Sequence, residues 1–495
     1  MVPRTVTRTL RVLPIQENNM AKSAPQKIGL FGLIGMVISS CIGSGVYALT
    51  GQLAKVASPG AIIIAWVIAG VGFLALALSL ANLSAKKPEL NGIFMYAKDG
   101  FGPFSGFLSG WGYWFSAWMG SVGFAIMMMS TVGYFLPAFH AGNSIPCIIV
   151  ASLFNWVLTI LVIRGVESAA LLNAVVMVCK VLAIGVFIAF AIFLFNTGTF
   201  TADFWGTLAS NASAIAAGED DLGTIPEQIK NCMIIMMWVF VGIEGATVMS
   251  ARAEKRSDVG RATVMGLVAL VVIYLAASVL PYGYLSYHEI ALMDYPVVIY
   301  LFDLMAPGWG GTFIALAIIL SIGGAWLSFT LLSAETTSCM SDAGLLPKEW
   351  GALNKHGSPQ MSLIVIAACI QAFLIISFFS ADAYNLTTSI ATAAIVISWG
   401  LAAAYQVKIA ILSKDVPYAI IGGVALVFLI AAVFMAGWQY LLIASIGFVP
   451  GFYFYWKVRH DGGFKLWKTS KVAITVVSIV AVVSIYLLAT GAISI

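Results

Sequence analysis

Apolar residues in this chain come in long unbroken runs, not in the alternation that marks half-buried strands or surface helices. Runs near 20 residues lie at about 28–50, 59–82, 105–136, 145–163, 170–195, 230–250, 262–285, 311–336, 362–380, 385–412, 417–437, 439–456 and 472–490. At roughly 1.5 Å per residue each matches the ~30 Å hydrocarbon core of a bilayer. Backbone polar groups find no water at that depth, so only helices or a closed barrel can cross. No segment carries the period-two pattern of a barrel strand. The pattern therefore predicts an all-α polytopic membrane protein with thirteen candidate helices, the third and eighth long enough to tilt.

Two of the runs are interrupted. In the first, "CIGSGVYALT" (residues 41–50) brings Gly43, Ser44 and Gly45 together, although glycine inside a helix costs on the order of 1 kcal/mol against alanine. A helix broken after Cys41 exposes N–H groups where its second half begins, and the aligned peptide dipoles add partial positive charge there. Such an end binds a carboxylate without a cationic side chain, and Ser44 adds a hydroxyl. The same small residues also suit plain helix packing. The sixth run, "WVFVGIEGATV" (residues 238–248), holds Glu244 between Gly242 and Gly245. An ionisable residue at membrane depth costs at least ~2.5 kcal/mol on insertion scales and by default marks function. A break here frees the carbonyls around Trp238 and Val241 for an ammonium group. Paired breaks at corresponding positions point to a transporter site near the bilayer midplane, and these two ends together describe a site for a zwitterion, an amino acid.

If each break opens a half of five helices, the second half is inverted in the membrane. The chain then divides into a cytoplasmic N-terminal segment (1–27), a first five-helix repeat (28–195) and an extracellular loop (196–229). A second repeat (230–412) and additional C-terminal helices (413–495) follow.

Composition agrees: 61% of residues are hydrophobic and 9% charged, against roughly 25% charged in ordinary globular proteins. The positions of the charges add orientation. All but Lys55, Lys180 and Lys230 of the 25 Lys and Arg residues fall in the N-terminal segment and alternate gaps, which places the N-terminus in the cytoplasm and the final "TGAISI" outside a cell membrane. The net charge of +4 thus reports topology, and no nucleic acid partner is implied. Six cysteines without CxxC spacing read as packing residues. Residues 1–19 read as an extension ahead of a start at Met20, with no function assigned.

Lys180 is the lone lysine deep in an apolar run. It either snorkels to the cytoplasmic end of its helix or serves as a proton carrier or fixed cation in a sodium-like position. Glu335 falls near the inner end of the eighth run, where interfacial exposure is expected. Of the dense aromatics, most pack or anchor, and a minority facing a cavity can stack on a cationic side chain. An enzyme would need a nucleophile with its base, or a metal cluster. The four histidines, His140, His288, His356 and His460, all lie in gaps or at ends, so no catalytic residue, metal or cofactor is expected. A channel would show polar rings along a pore, whereas here the polar breaks converge on one point.

The motifs "IGSGVY", "WVFVGIEGA", "SGWGYWFSAWMGS" and "TLLSAETTSCMSDAGLLPK" resemble the amino acid–polyamine–organocation superfamily, and within it the basic amino acid/polyamine antiporters of the arginine/ornithine type. The resemblance covers roughly residues 27–455. It implies a LeuT-like five-plus-five inverted-repeat bundle of 12–13 transmembrane helices working by alternating access. It further implies that Ser44 and the Gly45 amide meet the substrate carboxylate, with Ser40 and Ile42 alongside, and that carbonyls at Cys41, Trp238 and Val241 take the α-amino group. Trp238 would gate and Glu244 would couple the sixth helix to transport. Ser116, Ala117, Ser121, Phe124 and Phe329 would read the side chain, and Lys180 would stand where sodium sits in other branches. Two departures, Phe329 for the usual Trp and Ser121 for an Asn-like residue, weaken arginine as the substrate. The expectation is exchange of a basic amino acid for its catabolic product, foremost arginine for ornithine. Histidine/histamine exchange, lysine/cadaverine exchange and proton-coupled amino acid uptake are the alternatives. Partners would be amino acids, amines and lipid, with a homodimer allowed for.

Overall fold

Among the described residues of the computed structural model, eleven helices are long and apolar enough to cross a bilayer, and a bent pair makes a twelfth span. The structure describes residues 28–165, 169–206, 221–248, 253–463, 466–490 and 493. The N-terminal segment 1–27, Arg252, most of the loop 207–221 with its acidic "GEDD", and most of the last six residues lie outside the described residues.

The bent pair is α1 (Leu30–Cys41) and α2 (Gly45–Ala54), turned by 46° at the first predicted break. There follow α3 (Pro59–Lys86), α4 (Ile93–Phe101), α5 (Pro103–Gly133), α6 (Ile145–Ile163) and α7 (Ala169–Phe193). The sixth run forms α8 (Ile225–Trp238), unwinds, and resumes as α9 (Gly245–Val248). Its pieces are short, so it is not among the twelve spans; counted with them, every predicted run is helical. The remaining helices of more than five residues are α10 (Arg256–Val279), α11 (Val297–Met305), α12 (Gly310–Asp342), α13 (Gln360–Ser377), α14 (Ala383–Leu412), α15 (Val416–Ala436), α16 (Trp438–Asp461) and α17 (Lys468–Ala489). Among the described residues no strand forms, and extended backbone pairs only at two isolated bridges.

Several starts follow from local chemistry. Proline stands in the first turn of α3, α5, α6, α8 and α15, where its missing N–H has no helical partner to lose. Thr224 and Glu227 form a reciprocal capping box ahead of α8, satisfying orphan amides at that end.

Packing is organised around α5, which is almost wholly enclosed and lies against α12 and α14, while α3 packs on α10 and α6 on α13. Second, third and fourth runs thus touch the seventh, eighth and ninth. Small residues let the backbones close up: a Cβ on Gly112 would come within 2.8 Å of the Ala394 carbonyl, and one on Gly260 within 2.9 Å of Ala81. α17 is barely covered and rests on α16.

The helices α4 and α11 were not expected from hydropathy, being short and lying between spans. α4 is held between Gly92 and Gly102, both in the left-handed region with φ 83° and 92°, which only glycine adopts readily. It is tied to distant helix ends: Lys98 Nζ donates to the Ala343 carbonyl at 2.8 Å, Lys408 Nζ to the Gly100 carbonyl at 2.5 Å, and Tyr405 to Asp99.

Candidate functional site at the two helix breaks

The breaks predicted in separate runs lie against each other. Ser40, on the last turn of α1, donates its hydroxyl to the Gly242 carbonyl at 2.8 Å, sharing it with carbonyls of its own helix, and Cys41 Sγ sits 3.8 Å from the Phe240 carbonyl. Gly242 has φ 111°, and a Cβ there would stand 2.9 Å from the Ser40 backbone. Glycine is therefore demanded twice over, by the left-handed turn and by the passing chain. Ser40→Ala leaves a buried carbonyl short of a donor. It should lower stability by about 1 kcal/mol, read as a fall of about one degree in the unfolding midpoint in detergent for a chain of this length; an unchanged midpoint would count against this tie.

Lys180 on α7 reaches the first break from the side. It is 1% exposed, and its Nζ donates to the Ser39 carbonyl at 2.6 Å and the Ile42 carbonyl at 2.7 Å. These carbonyls face the gap left when α1 ends and the chain turns. A cation donating to both forms charge-assisted bonds, about twice as strong as neutral ones. The snorkelling alternative does not describe this side chain.

Beyond the gap, Ser44 caps the start of α2 and is 0% exposed. The first amides of α2 have no carbonyl one turn back to pair with. Ser44 Oγ lies 2.9 Å from the Tyr384 hydroxyl on α14. Fifteen positions further along the same helix, Trp399 Nε1 donates to Glu244 Oε2 at 3.0 Å. Both breaks are thus tied to α14. Neither Tyr384 nor Trp399 was singled out in the sequence: Tyr384 falls just ahead of the 385–412 run and Trp399 inside it, and neither is itself charged.

Trp238, at the end of α8, fills the space between the two walls. A Cβ on Gly45 would come within 3.3 Å of its indole and one on Gly120 within 2.7 Å. Its ring centroid is 5.9 Å from that of Phe124, which meets Phe329 edge-on at 4.9 Å. On one side of Trp238 lies an open cavity of about 810 Å³, with Tyr295 and Tyr384 at its floor and Lys55, His140, Lys230 and Asp382 nearer the surface. A second, small cavity of about 10 Å³, which Trp238 does not line, lies among Tyr113, Ser116, Ala117, Val241, Glu244 and Phe329. That is room for one water molecule. The Ser116 hydroxyl is buried there without a hydrogen-bond partner. A ligand larger than water does not fit this cavity as it stands.

The structure therefore brings together Ser40, Cys41, Ile42, Ser44 and Gly45 with Trp238, Val241, Glu244 and Lys180, and sets Ser116, Ala117, Phe124 and Phe329 around them. One expectation needs correction. The Trp238 carbonyl is not vacated by the break, because Val241 N–H donates to it at 3.1 Å; the interruption is a run of tight turns rather than open coil. Ser121 donates its hydroxyl to the Ala117 carbonyl of its own helix at 3.0 Å. Glu335 is half-buried. Among the described residues no three His, Cys, Asp or Glu side chains gather as metal ligands.

What these groups offer is one positively polarised helix end, one set of turn carbonyls and a buried carboxylate, with Trp238 between them and the open cavity. The chain matches the amino acid permease family over residues 28–480. It is 49% identical over 472 residues to an arginine/ornithine antiporter of Latilactobacillus sakei, covering 94% of this chain and 98% of that protein. A Pseudomonas aeruginosa arginine/ornithine antiporter is 35% identical across 90% of this chain and 93% of its own. An arginine/agmatine antiporter of Chlamydia abortus is 35% identical across 96% and 99%.

Proposed function

The chain belongs to the amino acid permease family, and on that premise we propose that it is a membrane antiporter, not an enzyme, that exchanges arginine for ornithine. The observation that carries the reading is the facing pair of helix breaks, one presenting amides and the other turn carbonyls. An α-amino acid carries the two complementary groups. Its carboxylate meets the first amides of α2 and the Ser44 hydroxyl, and its ammonium group meets carbonyls near Cys41 and Val241. Trp238 gates. The side chain extends towards Ser116, Ala117, Phe329 and Glu244, where the unpartnered Ser116 hydroxyl gives it a contact.

Ornithine suits this site better than agmatine. It keeps both the carboxylate and the α-amino group of arginine, whereas agmatine lacks the carboxylate and leaves the α2 amides unanswered. An unanswered donor in a site built for it is what makes such discrimination steep. Lys180, filling a cation's place with a covalently fixed charge, removes the need for a bound sodium ion. The packing of α3 on α10, α5 on α12 and α6 on α13 supports two inverted five-helix repeats at 28–195 and 230–412. The basic gaps support a cytoplasmic N-terminus, with the large cavity then facing outwards.

Counterflow in proteoliposomes tests this. Vesicles loaded with ornithine should take up labelled arginine many times faster than empty ones, and faster than vesicles loaded with agmatine, histamine or cadaverine. Equal uptake into empty vesicles would sink the exchange reading, and preference for another counter-substrate would replace ornithine.

A further inference from the structure

The amides and carbonyls at the breaks recognise groups that every amino acid shares, so the choice of a cationic side chain has to be made elsewhere as well. One wall of the large cavity carries features suited to it. Gln52, on α2, donates its side-chain NH₂ to Asn385 Oδ1, and Asn385 Nδ2 donates to Asp382 Oδ2 at 2.6 Å. The relay runs in one direction and ends on a carboxylate. Its other end, Gln52 Oε1, is buried and has no hydrogen-bond partner. The wall therefore presents an anion, with the orphan acceptor enclosed just behind it. A guanidinium or ammonium group is the complementary ligand, because each is a donor with no acceptor of its own. Lys55 and Lys230 line the same cavity, on hand for the carboxylate of the arriving amino acid. With about 810 Å³, the space takes a whole free amino acid without moving Trp238.

We propose that Gln52, Asn385 and Asp382 form an entry filter that selects cationic side chains before the amino acid reaches the breaks. The proposal rests on the reading of the protein as a basic amino acid exchanger. A filter on one face has a signature that a general loss of structure lacks: it alters selectivity and KM from that face alone. Asp382 also caps α14 by accepting from the Asn385 amide, and asparagine is as good a cap as aspartate, so Asp382→Asn removes the charge and keeps the helix start.

The test measures arginine uptake with citrulline, a neutral analogue of the same shape, as competitor. Intact cells of a host lacking its own arginine uptake report the outer face, and everted vesicles report the inner one. In Asp382→Asn the outer KM for arginine should rise about fivefold with kcat unchanged, as for loss of a rim charge. Citrulline should compete better from outside, and the inner KM should stay as in the wild type. Gln52→Met, which removes the orphan acceptor, should shift selectivity the same way and carries the test if Asp382→Asn does not reach the membrane. Unchanged outer KM and citrulline competition, or an equal shift on both faces, overturns the filter while wild-type exchange stands. A wild-type protein that does not take up arginine overturns the functional reading itself.

Discussion

Lys180→Met should abolish exchange, cutting the initial rate of arginine uptake into ornithine-loaded vesicles by at least about 100-fold. Two hydrogen bonds from one buried cation hold the Ser39 and Ile42 carbonyls at the break, and bonds involving a charged partner contribute about 1.5–3 kcal/mol each. A factor of 100 in rate needs about 2.7 kcal/mol, and losing both bonds, about 3–6 kcal/mol together, exceeds it. Methionine keeps the length and apolar stem of lysine, so the helix still packs and inserts. What it cannot do is answer two buried carbonyls. The break then relaxes, and with it the position of Ser44 and the α2 amides to which the proposed site assigns the substrate carboxylate. Uptake within twofold of wild type, from protein that is monodisperse in detergent, would show that Lys180 has no part in transport.

A second large effect is expected from Gly45→Val. Any Cβ at this position comes within 2.7 Å of a Val239 methyl, closer than real side chains approach, and 3.3 Å from the Trp238 indole, tighter than most real contacts, and valine adds two methyls beyond it. Trp238 then cannot lie in its seat, and uptake should fall more than tenfold. Gly120→Leu attacks the same indole from α5, where a Cβ would lie 2.7 Å from the ring, and should do likewise. Gly185→Ala is the comparison, since a Cβ on Gly185 meets nothing within 4 Å; alanine there should leave uptake unchanged. Normal transport by both Gly45→Val and Gly120→Leu would mean that Trp238 does not gate.

The bilayer makes much of this fold readable from the chain. It fixes the length of every crossing and forbids unpaired backbone, so hydropathy alone locates the spans. The breaks are legible for the opposite reason: Gly43, Ser44 and Gly45, and Glu244 with its flanking glycines, are the wrong residues for an apolar helix. Elsewhere the sequence is silent because the information is a contact between remote positions. Tyr384 meets Ser44 across 340 residues and Trp399 meets Glu244 across 155, and nothing local distinguishes either from an anchoring aromatic. The turn that occupies the Trp238 carbonyl is equally hidden, since glycines announce that a helix stops and not how the chain continues. α4 escapes hydropathy because it lies between spans, where its polar residues look like loop.

The placing of Tyr384 and Trp399 on one helix has a mechanical consequence. Fifteen positions at 1.5 Å put them about 22 Å apart along the axis of α14, and a hydrogen-bonded helix hardly stretches. α14 is therefore a calliper laid across the protein, one jaw on Ser44 and the other on Glu244. Its jaws cannot open separately: a shift of either break must snap a bond or rock the whole rod, and rocking carries the news to the other end.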